Sequence, residues 1–334
     1  MNRLALAVDV GGTKTFLRLV AQPEGPASRE VVADARLENA GVATLDDVIA
    51  RFLDGPAAAA RGSPIGAACL GLAGPVVDGR CELTNLPWTV DAQALAARFD
   101  IGTVSMVNDF VVVAHGIDAL GEGDIATIHA GREESGGPRV VVGAGTGLGV
   151  AFLPWDGTRH VVMPSEAGTI DFSPVNARQD GLLRYWRDRG VKLSHALLLS
   201  GRGIVRIAEF LLMSGHATGS PTFLEAFARD GAAAVTAFGL EGRDAAARAA
   251  LDLFVDIYGQ FTGNMALTSL ATGGVYVAGG IAPKMAPLLT DGRFATAFLD
   301  RANFRPLLES MPVRLVMDER VGLLGAVEIA AAAL

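Results

Sequence analysis

The sequence predicts an α/β protein made of two similar domains. Its 334 residues suit two domains of ordinary size, and with half of them apolar and 19% charged the chain can bury a sizeable core. A short segment that has the residue pattern of a β-hairpin with a glycine-rich turn occurs twice, about 134 residues apart. A repeat of this length is too long for a solenoid and favours two similar α/β domains.

The first copy is a hairpin at the start of the chain. Residues 4–10 and 15–20 are apolar and rich in β-branched side chains, which is typical of strands. Gly11-Gly12-Thr13-Lys14 between them is short enough only for a tight turn. In the second copy, residues 140–142 lead through Gly143-Ala144-Gly145-Thr146-Gly147 into residues 148–153. We expect the turn of each hairpin to face the other domain.

Parallel strands are predicted between the two copies. Residues 66–72 and 104–107 have strand composition, and Asp91 precedes a helical pattern of apolar residues, Ala92, Leu95, Ala96 and Phe99. A strand, a helix and a second strand in succession indicate parallel pairing.

The second half of the chain is predicted to be richer in helix. Asp244 is placed to begin a long helix that continues past Gly259 and Gly263, where the missing side chains indicate close backbone packing. Residues 275–278 are predicted to be a buried strand, and residues 321–334 a closing helix. Two further stretches, residues 23–28 and 131–138, have the composition of surface loops.

The charge balance argues against nucleic acid and membrane surfaces as partners. Twenty-eight basic and 36 acidic residues give a formal net charge of −8, which opposes binding to phosphate backbones or anionic lipid. The sequence contains no run of 18 apolar residues, so we expect no transmembrane helix. Cys69 and Cys81 are too few for a disulfide framework and fit a reducing, cytoplasmic location. The five histidines show no i, i+4 pairing, which makes a zinc site improbable.

The two glycine turns are candidate phosphate-binding loops. A glycine turn with a hydroxyl residue can direct several backbone N–H groups at one point, as polyphosphate oxygens require. Either turn taken alone is better explained as an ordinary hairpin turn, but the pair favours a clamp on one triphosphate. Lys14-Thr15 follows Thr13, so the P-loop pattern is not met, and Leu148 and Val150 occupy the last glycine position of the dinucleotide fingerprint.

Two aspartates at the ends of predicted strands are also candidate site residues. Asp9 precedes the first turn, where its carboxylate would meet phosphates through Mg²⁺ or water; a plain turn-forming role is the alternative. Asn108-Asp109 ends the strand predicted at 104–107, which places Asp109 to act as a general base; here the alternative is a strand-ending turn. Glu166 alone is typical of a solvated residue, and Trp88 of a core residue rather than a ligand-stacking one.

Together these motifs resemble the bacterial ATP-dependent glucokinase family, within the superfamily of sugar kinases, chaperone ATPases and actin-like proteins. The resemblance runs nearly end to end. It rests on Asp9-Val10-Gly11-Gly12-Thr13, Thr84-Asn85 with Trp88, Asn108-Asp109-Phe110, residues 143–150, Ser200-Gly201-x-Gly203, Gly263-Asn264-x-Ala266-Leu267, Gly273-Gly274-Val275, Ala278-Gly279-Gly280-Ile281 and Gly322-Leu323-Leu324-Gly325.

The resemblance implies two actin-like (ribonuclease H-like) α/β domains flanking a deep cleft, a small one of residues 1–110 plus 319–334 and a large one of residues 111–318. It implies ATP-dependent phosphorylation of glucose at the 6-hydroxyl, with Asp109 as the base, in a cytoplasmic homodimer. The implied ATP and Mg²⁺ ligands are Asp9, Gly11, Gly12, Thr13, Gly143, Gly145, Thr146, Gly147, Gly279 and Gly280, with Asp9 on Mg²⁺ through water. The implied sugar ligands are Asn85, Asn108, Asp109, Glu166 and Thr169.

Two positions depart from the family's pattern. The family usually has Glu-Gly-Gly-His where this chain has Glu166-Ala167-Gly168-Thr169, and a glutamate where it has Ala196, next to His195. Loss of two sugar contacts keeps a second hypothesis open, a kinase for another hexose or an amino sugar. A sensor that binds ATP and sugar without transferring phosphate is the alternative from a different class. The Cys-rich zinc segment of the related repressor and sugar kinase group is absent, which favours the glucokinase branch.

Overall fold

The computed structural model of the chain describes residues 3–22, 29–60 and 62–334. Contacts divide the chain into two units, one of Met1–Gly121 with Arg320–Leu334 and the other of Glu122–Glu319. The domain borders predicted after residues 110 and 318 stay predictions. The loop expected at residues 23–28 lies outside the described residues, whereas residues 131–138 form a mostly exposed loop as predicted.

The elements are numbered in chain order. The strands are β1 (Arg3–Val10), β2 (Lys14–Gln22), β3 (Glu30–Glu38), β4 (Ile65–Leu72), β5 (Val76–Val77), β6 (Arg80–Glu82), β7 (Thr89–Asp91), β8 (Ile101–Asn108), β9 (Ile125–His129), β10 (Arg139–Ala144), β11 (Leu148–Leu153), β12 (Met163–Ser165), β13 (Gly274–Ala278) and β14 (Val313–Val316). The helices are α1 (Leu45–Asp54), α2 (Ala92–Phe99), α3 (Asp109–Gly116), α4 (Ala177–Arg187), α5 (His195–Leu198), α6 (Gly201–Met213), α7 (Pro221–Asp230), α8 (Ala232–Leu240), α9 (Ala245–Ser269), α10 (Ala286–Leu289), α11 (Arg293–Leu299), α12 (Arg305–Ser310) and α13 (Val321–Ala332).

The first unit is built on a sheet with the strand order β3-β2-β1-β4-β8. β1 pairs antiparallel with β2 and parallel with β4, and β4 pairs parallel with β8. The predicted first hairpin and the predicted parallel strands are therefore confirmed. A small antiparallel sheet, β5-β6-β7, lies in the same unit. Trp88, between β6 and β7, is 3% exposed and belongs to the core, as the core interpretation of this residue predicts.

The second unit repeats this arrangement. Its sheet has the order β12-β11-β10-β13-β14-β9, in which β10 pairs antiparallel with β11 and parallel with β13. β10, β11 and β13 thus correspond to β1, β2 and β4. The internal duplication predicted from two short segments is confirmed by the topology of both sheets. Both are mixed sheets in an α/β setting, which confirms the predicted fold class.

Side-chain caps begin the helices predicted at Asp91 and Asp244. The Asp91 carboxylate accepts from the backbone N–H of Gln93 and Ala94, each at 3.0 Å, at the start of α2. Asp244 caps α9 in the same way, from Ala246 and Ala247. Both starts are confirmed, because these caps depend only on residues nearby in sequence.

The two glycines inside α9 allow a close helix crossing, as predicted. A Cβ on Gly259 would lie 2.5 Å from the carbonyl oxygen of Phe294, and one on Gly263 would lie 2.7 Å from that of Phe298. Both partners belong to α11, so α9 and α11 touch through their backbones.

The closing helix α13 packs on α3 and β1 in the first unit. Gly325 meets the backbone of α3, because a Cβ there would lie 1.8 Å from the carbonyl oxygen of Val112. Val112 and Leu323 belong to a fully buried apolar cluster that also includes Cys69. Among the described residues, no helix combines the length and apolarity needed to cross a membrane.

Candidate active site

Asp9 lies near the end of β1 in a crowded, half-buried position. A Cβ on Gly322, in the first turn of α13, would lie 2.5 Å from Asp9 Oδ2, so the carboxylate rests against bare helix backbone. The pKa of Asp9 is raised to about 7, chiefly by burial and also by the charge of Asp109, while Lys14 acts to lower it. The carboxylate is thus placed where an added positive charge would stabilise its ionised form.

Asn39 fixes the glycine turn after Asp9 by hydrogen bonds to two of its carbonyl oxygens. Asn39 Nδ2 donates to the carbonyl oxygen of Gly11 at 2.8 Å, and the Asn39 N–H donates to that of Thr13 at 2.8 Å. Thr15 Oγ1 fixes the amide by donating to Asn39 Oδ1. Gly11, Gly12 and Thr13 are exposed, which leaves the opposite side of the turn open to a ligand. Sequence reasoning missed Asn39, because its role depends on the pairing of β2 with β3.

Asn108 and Asp109 lie at the junction of β8 and α3. β8 ends at Asn108, whose Oδ1 accepts from the N–H of Phe110 at 2.8 Å and so caps α3. Asp109 is the first residue of that helix and is half-buried. Its charge raises the pKa of Asp9 and also that of the buried Cys81 thiol, where burial is the larger cause. Val10 lies opposite Leu72 and Leu72 opposite Asn108, so the sheet places Asp9 and Asp109 at the same end of the first unit.

Asn85 lies beside the glycine turn. It is exposed, and its Cβ lies 3.7 Å from the position that a Cβ on Gly12 would take. Its loop is anchored by Thr84, whose N–H and Oγ1 both donate to the carbonyl oxygen of Ala73 at 2.9 Å. One end of the first sheet thus carries Asp9, the turn of residues 11–13, Asn85, Asn108 and Asp109.

The second glycine turn is a meeting point of three loops in the second unit. The N–H of Gly201 donates to the carbonyl oxygen of Gly145 at 3.1 Å, and the N–H of Ile281 to that of Ala144 at 3.2 Å. Gly279 has a φ of 89°, and a Cβ there would lie 2.5 Å from the Ala144 oxygen, so only glycine fits. Residues 143–147, 200–203 and 278–281 therefore form one cluster.

This cluster borders open space. A Cβ on Gly145, Gly147, Gly201 or Gly280 would meet no atom within 4 Å. Within the turn, Gly143 is buried in β10 and the N–H of Gly145 is taken by the carbonyl oxygen of Gly147, whereas Thr146 and Gly147 are exposed. The N-terminus of α6, capped by Ser200 Oγ, adjoins the turn. The sequence alone assigned Ser200 and Gly201 no role.

Glu166 and Thr169 lie next to this cluster. Glu166 precedes a short 3₁₀ turn, Ala167–Thr169, which Thr169 ends. A Cβ on Gly168 would lie 2.0 Å from the carbonyl oxygen of Leu148, the first residue of β11. Both side chains are exposed. Thr169 Oγ1 donates to the carbonyl oxygen of Glu166 at 2.8 Å, so its only hydroxyl proton is used within the turn.

His195 belongs to the core. It is 4% exposed, with ring centroids 5.6 Å from Phe172 and 4.7 Å from Phe261. Burial lowers the pKa of its imidazole to about 4, so the ring is neutral at neutral pH. The neighbouring Ala196 is half-buried against the same core and offers no polar side chain.

The described residues include no group of three or more His, Cys, Asp or Glu side chains that could hold a metal ion by themselves. Mg²⁺ has no such need, because it binds through one or two carboxylates together with water and substrate phosphates. Asp9, with Asp109 near it, fits that description.

The two sheets match over five strands, with β9 added at the edge of the second, and each has a glycine turn after its first hairpin strand. A family model described as glucokinase matches residues 6–333. The chain belongs to the glucokinase family.

Similar proteins match this chain over nearly its whole length. The glucokinase of Nostoc sp. (strain PCC 7120 / SAG 25.82 / UTEX 2576) is 37% identical over 342 residues, covering 98% of this chain and 99% of the relative. The crystal structure of a glucokinase from an Antarctic psychrotroph has a TM-score of 0.83 at 25% identity, with 98% of this chain and 99% of that chain covered.

A more distant structure supports the fold. A glucokinase of the ROK family from Streptomyces griseus, solved in complex with glucose and AMPPNP, has a TM-score of 0.64 at 19% identity and covers 98% of this chain and 99% of that one. The related structure therefore holds both a sugar and an ATP analogue.

Proposed function

We propose that this chain carries out the glucokinase reaction, transfer of the γ-phosphoryl group of ATP to the 6-hydroxyl of glucose, with Asp109 as the general base. The glucokinase family and its full-length relatives support the activity. The observation that carries the assignment of Asp109 is that the strand register places it with Asp9 at one end of a sheet that also bears an exposed glycine turn. In this proposal Asp109 acts on the alcohol and Asp9 on the phosphate side.

The proposed chemistry is a single displacement. The 6-hydroxyl oxygen forms a bond to the γ-phosphorus as the bond to the β,γ-bridging oxygen breaks, and ADP leaves. The Asp109 carboxylate accepts the hydroxyl proton. Because the transition state of phosphoryl transfer is loose, the protein contributes chiefly by positioning reactants and offsetting charge. A helix start is a suitable place for this base, since its backbone position is fixed by the Asn108 cap.

The nucleotide would be bound by backbone groups and glycines. In the first unit the exposed turn residues Gly11, Gly12 and Thr13 would contact phosphate, and Asp9 would hold Mg²⁺ through water. Mg²⁺, when bound, neutralises phosphate charge. In the second unit, the exposed Thr146 and Gly147 would contact phosphate while Gly143 and Gly145 shape the turn, and Gly279 and Gly280 would border the adenosine.

The sugar would be held by side chains whose hydrogen-bonding capacity is only partly used. Asn108 Oδ1 is committed to the cap of α3, so its Nδ2 group is the part that can donate to a sugar hydroxyl. The exposed Asn85 and Glu166 can also reach ligand hydroxyls. Thr169 can only accept, because its proton is bound to the Glu166 carbonyl oxygen.

A coupled assay with Mg²⁺ and ATP across hexoses, amino sugars and N-acetyl sugars tests this function. We expect phosphorylation of glucose that depends on both ATP and Mg²⁺. ATP consumption that does not rise with any sugar would support the sensor hypothesis instead.

A second candidate, a kinase for another hexose or amino sugar, is favoured by one specific observation. The positions of two family sugar ligands hold Thr169, whose proton is already bound, and Ala196, which has no polar group. A preference of at least about tenfold in kcat/KM for a sugar other than glucose would decide for this candidate.

The assembly and location are also proposals. The family resemblance supports a homodimer, which the molecular mass in solution by light scattering would test. Cys69 and Cys81 are free and buried, which supports a reducing, cytoplasmic location.

A further inference from the structure

We propose that the hydroxyl group of Tyr258 is a positioning group for nucleotide binding, because it fixes the strand end from which the second glycine turn departs. The inference rests on the proposed function in one respect, the binding of ATP by residues 143–147. Tyr258 lies on α9, next to Gly259, and the sequence analysis gives it no role in nucleotide binding.

The hydroxyl bridges two backbone groups of β10. The N–H of Ala144, the last residue of the strand, donates to Tyr258 Oη at 3.1 Å. The same hydroxyl donates to the carbonyl oxygen of Val142 at 3.3 Å. Tyr258 therefore clasps the backbone on both sides of Gly143, immediately before the chain enters the turn.

Ala144 connects the second glycine turn to the loop of residues 278–281 and to α9. Its carbonyl oxygen accepts from Ile281, and its N–H is taken by Tyr258. The next carbonyl, that of Gly145, accepts from Gly201. In the part of the chain that the structure describes, the other hydrogen bonds at residues 143–147 join backbone to backbone. Tyr258 is thus the side chain on which the orientation of the turn depends.

The ring of Tyr258 is itself immobilised by packing. The residue is fully buried, and its ring meets Phe254 and Phe294 edge-on, with centroids 5.8 and 5.5 Å away. Burial raises the pKa of the phenol well above its ordinary value, so the hydroxyl keeps the proton that it donates to Val142. A phenylalanine at this position would keep the ring contacts and remove only the bridge.

The bridge bears on ligand binding as well as on folding. Gly145, Gly147, Gly201 and Gly280 have open space around them and no side chains to restrain the loops. Backbone N–H groups bind phosphate well only when their directions are set in advance. Loss of the Tyr258 bridge would let Ala144 and the turn after it adopt several orientations, most of which point the amides away from phosphate.

The test compares Tyr258→Phe with Tyr276→Phe and with the unaltered protein. Tyr276 is a matched control, because it lies in the same sheet, is 3% exposed, and has a hydroxyl that accepts from Arg314 Nη1 at 2.8 Å, away from the turn. Steady-state kinetics give KM for ATP and for glucose with kcat, and calorimetric titration with ADP gives the dissociation constant.

We expect Tyr258→Phe to raise KM for ATP and the ADP dissociation constant by about tenfold, the effect of losing one or two hydrogen bonds. KM for glucose should change by less than about twofold, which is smaller than the effect of losing one binding contact. Tyr276→Phe should leave all three constants unchanged. The inference is overturned if Tyr258→Phe binds ADP as tightly as the unaltered protein, or if both variants weaken binding equally. Failure of the unaltered protein to bind ADP would overturn the proposed function as well.

Hydrogen exchange gives a second test that does not depend on activity. Amides in a peptide covering residues 140–148 should exchange faster in Tyr258→Phe than in the unaltered protein, whereas those of α6 should not. Equal exchange across residues 140–148 would contradict the inference even if the variant is too unstable for kinetics.

Discussion

Asp9 affects both the proposed Mg²⁺ site and the stability of the first unit. Its carboxylate lies against α13 and near Asp109, and both burial and that neighbouring charge oppose ionisation. The aspartate is nevertheless proposed to act as an anion toward Mg²⁺. Binding of the metal with ATP would then draw a proton off Asp9, which links nucleotide binding to pH.

The raised pKa of Asp9 predicts that stability falls as pH increases. In the unfolded chain Asp9 loses its proton near its ordinary pKa of 3.8, whereas in the folded protein it does so at about 7. Between these values the folded state binds more protons, so each unit of pH costs up to about 1.4 kcal/mol of the free energy of unfolding. Urea unfolding without Mg²⁺ or ATP should show that Asp9→Asn gains stability over the unaltered protein between pH 5 and 8. An equal difference at both pH values would mean that Asp9 ionises normally.

Asn108 is proposed to have two roles that different substitutions separate. Serine can replace Oδ1 as the cap of α3 but has no amide to donate to sugar. Asn108→Ser should therefore raise KM for glucose while keeping the melting temperature, whereas Asn108→Ala should also lose about 1 kcal/mol of stability. Denaturation curves and sugar kinetics measure the two effects. Unchanged glucose KM in both variants would remove Asn108 from the sugar site.

At the scale of elements, the packing of α13 against β1 and α3 keeps two glycines where side chains would collide. A Cβ on Gly322 would strike the end of the Asp9 side chain, which can move, whereas one on Gly325 would strike backbone of α3, which cannot move without the helix. Gly322 is therefore needed for the position of the Asp9 carboxylate, and Gly325 for the packing of α13 on α3.

Gly322→Ala should impair catalysis more than folding. Displacement of the Asp9 carboxylate by about an ångström can lower kcat/KM for Mg·ATP by roughly 10²-fold, while alanine favours the helix. Gly325→Ala should instead lower the free energy of unfolding by about 1–3 kcal/mol, as overpacked cores do. Gly123→Ala, whose Cβ would meet no atom within 4 Å, is the control. Normal kinetics in Gly322→Ala would show that Asp9 tolerates the shift.

Local signals predicted the elements well, and contacts distant in sequence account for what they missed. Asp91 and Asp244 cap helices through neighbours two and three residues away, so their roles can be read from the sequence. Asn39 and Tyr258 act on backbone that only the sheet or a distant helix brings near. No periodicity or spacing in one sequence marks such residues, since their partners are 28 and 114 positions away.

At the scale of the whole molecule, the duplication is the feature that the sequence predicted most successfully. Two hairpins with glycine turns proved to be the start of two sheets whose order matches over five strands, with β9 added at the edge of the second. The borders of the units depend on where the chain's contacts fall, and α3 joins the first unit because α13 packs on it.

Turnover of glucose and Mg·ATP by Asp109→Asn tests the central claim most directly. Asparagine keeps the size of the side chain and cannot take the proton of the 6-hydroxyl. The matched control is Asp100→Asn, an exposed position of φ 52° in the same unit that asparagine tolerates. We predict that Asp109→Asn loses about 10²–10⁴-fold in kcat, the usual contribution of a general base, with ADP affinity retained. The control should keep full activity. Turnover by Asp109→Asn close to that of the control would contradict the account.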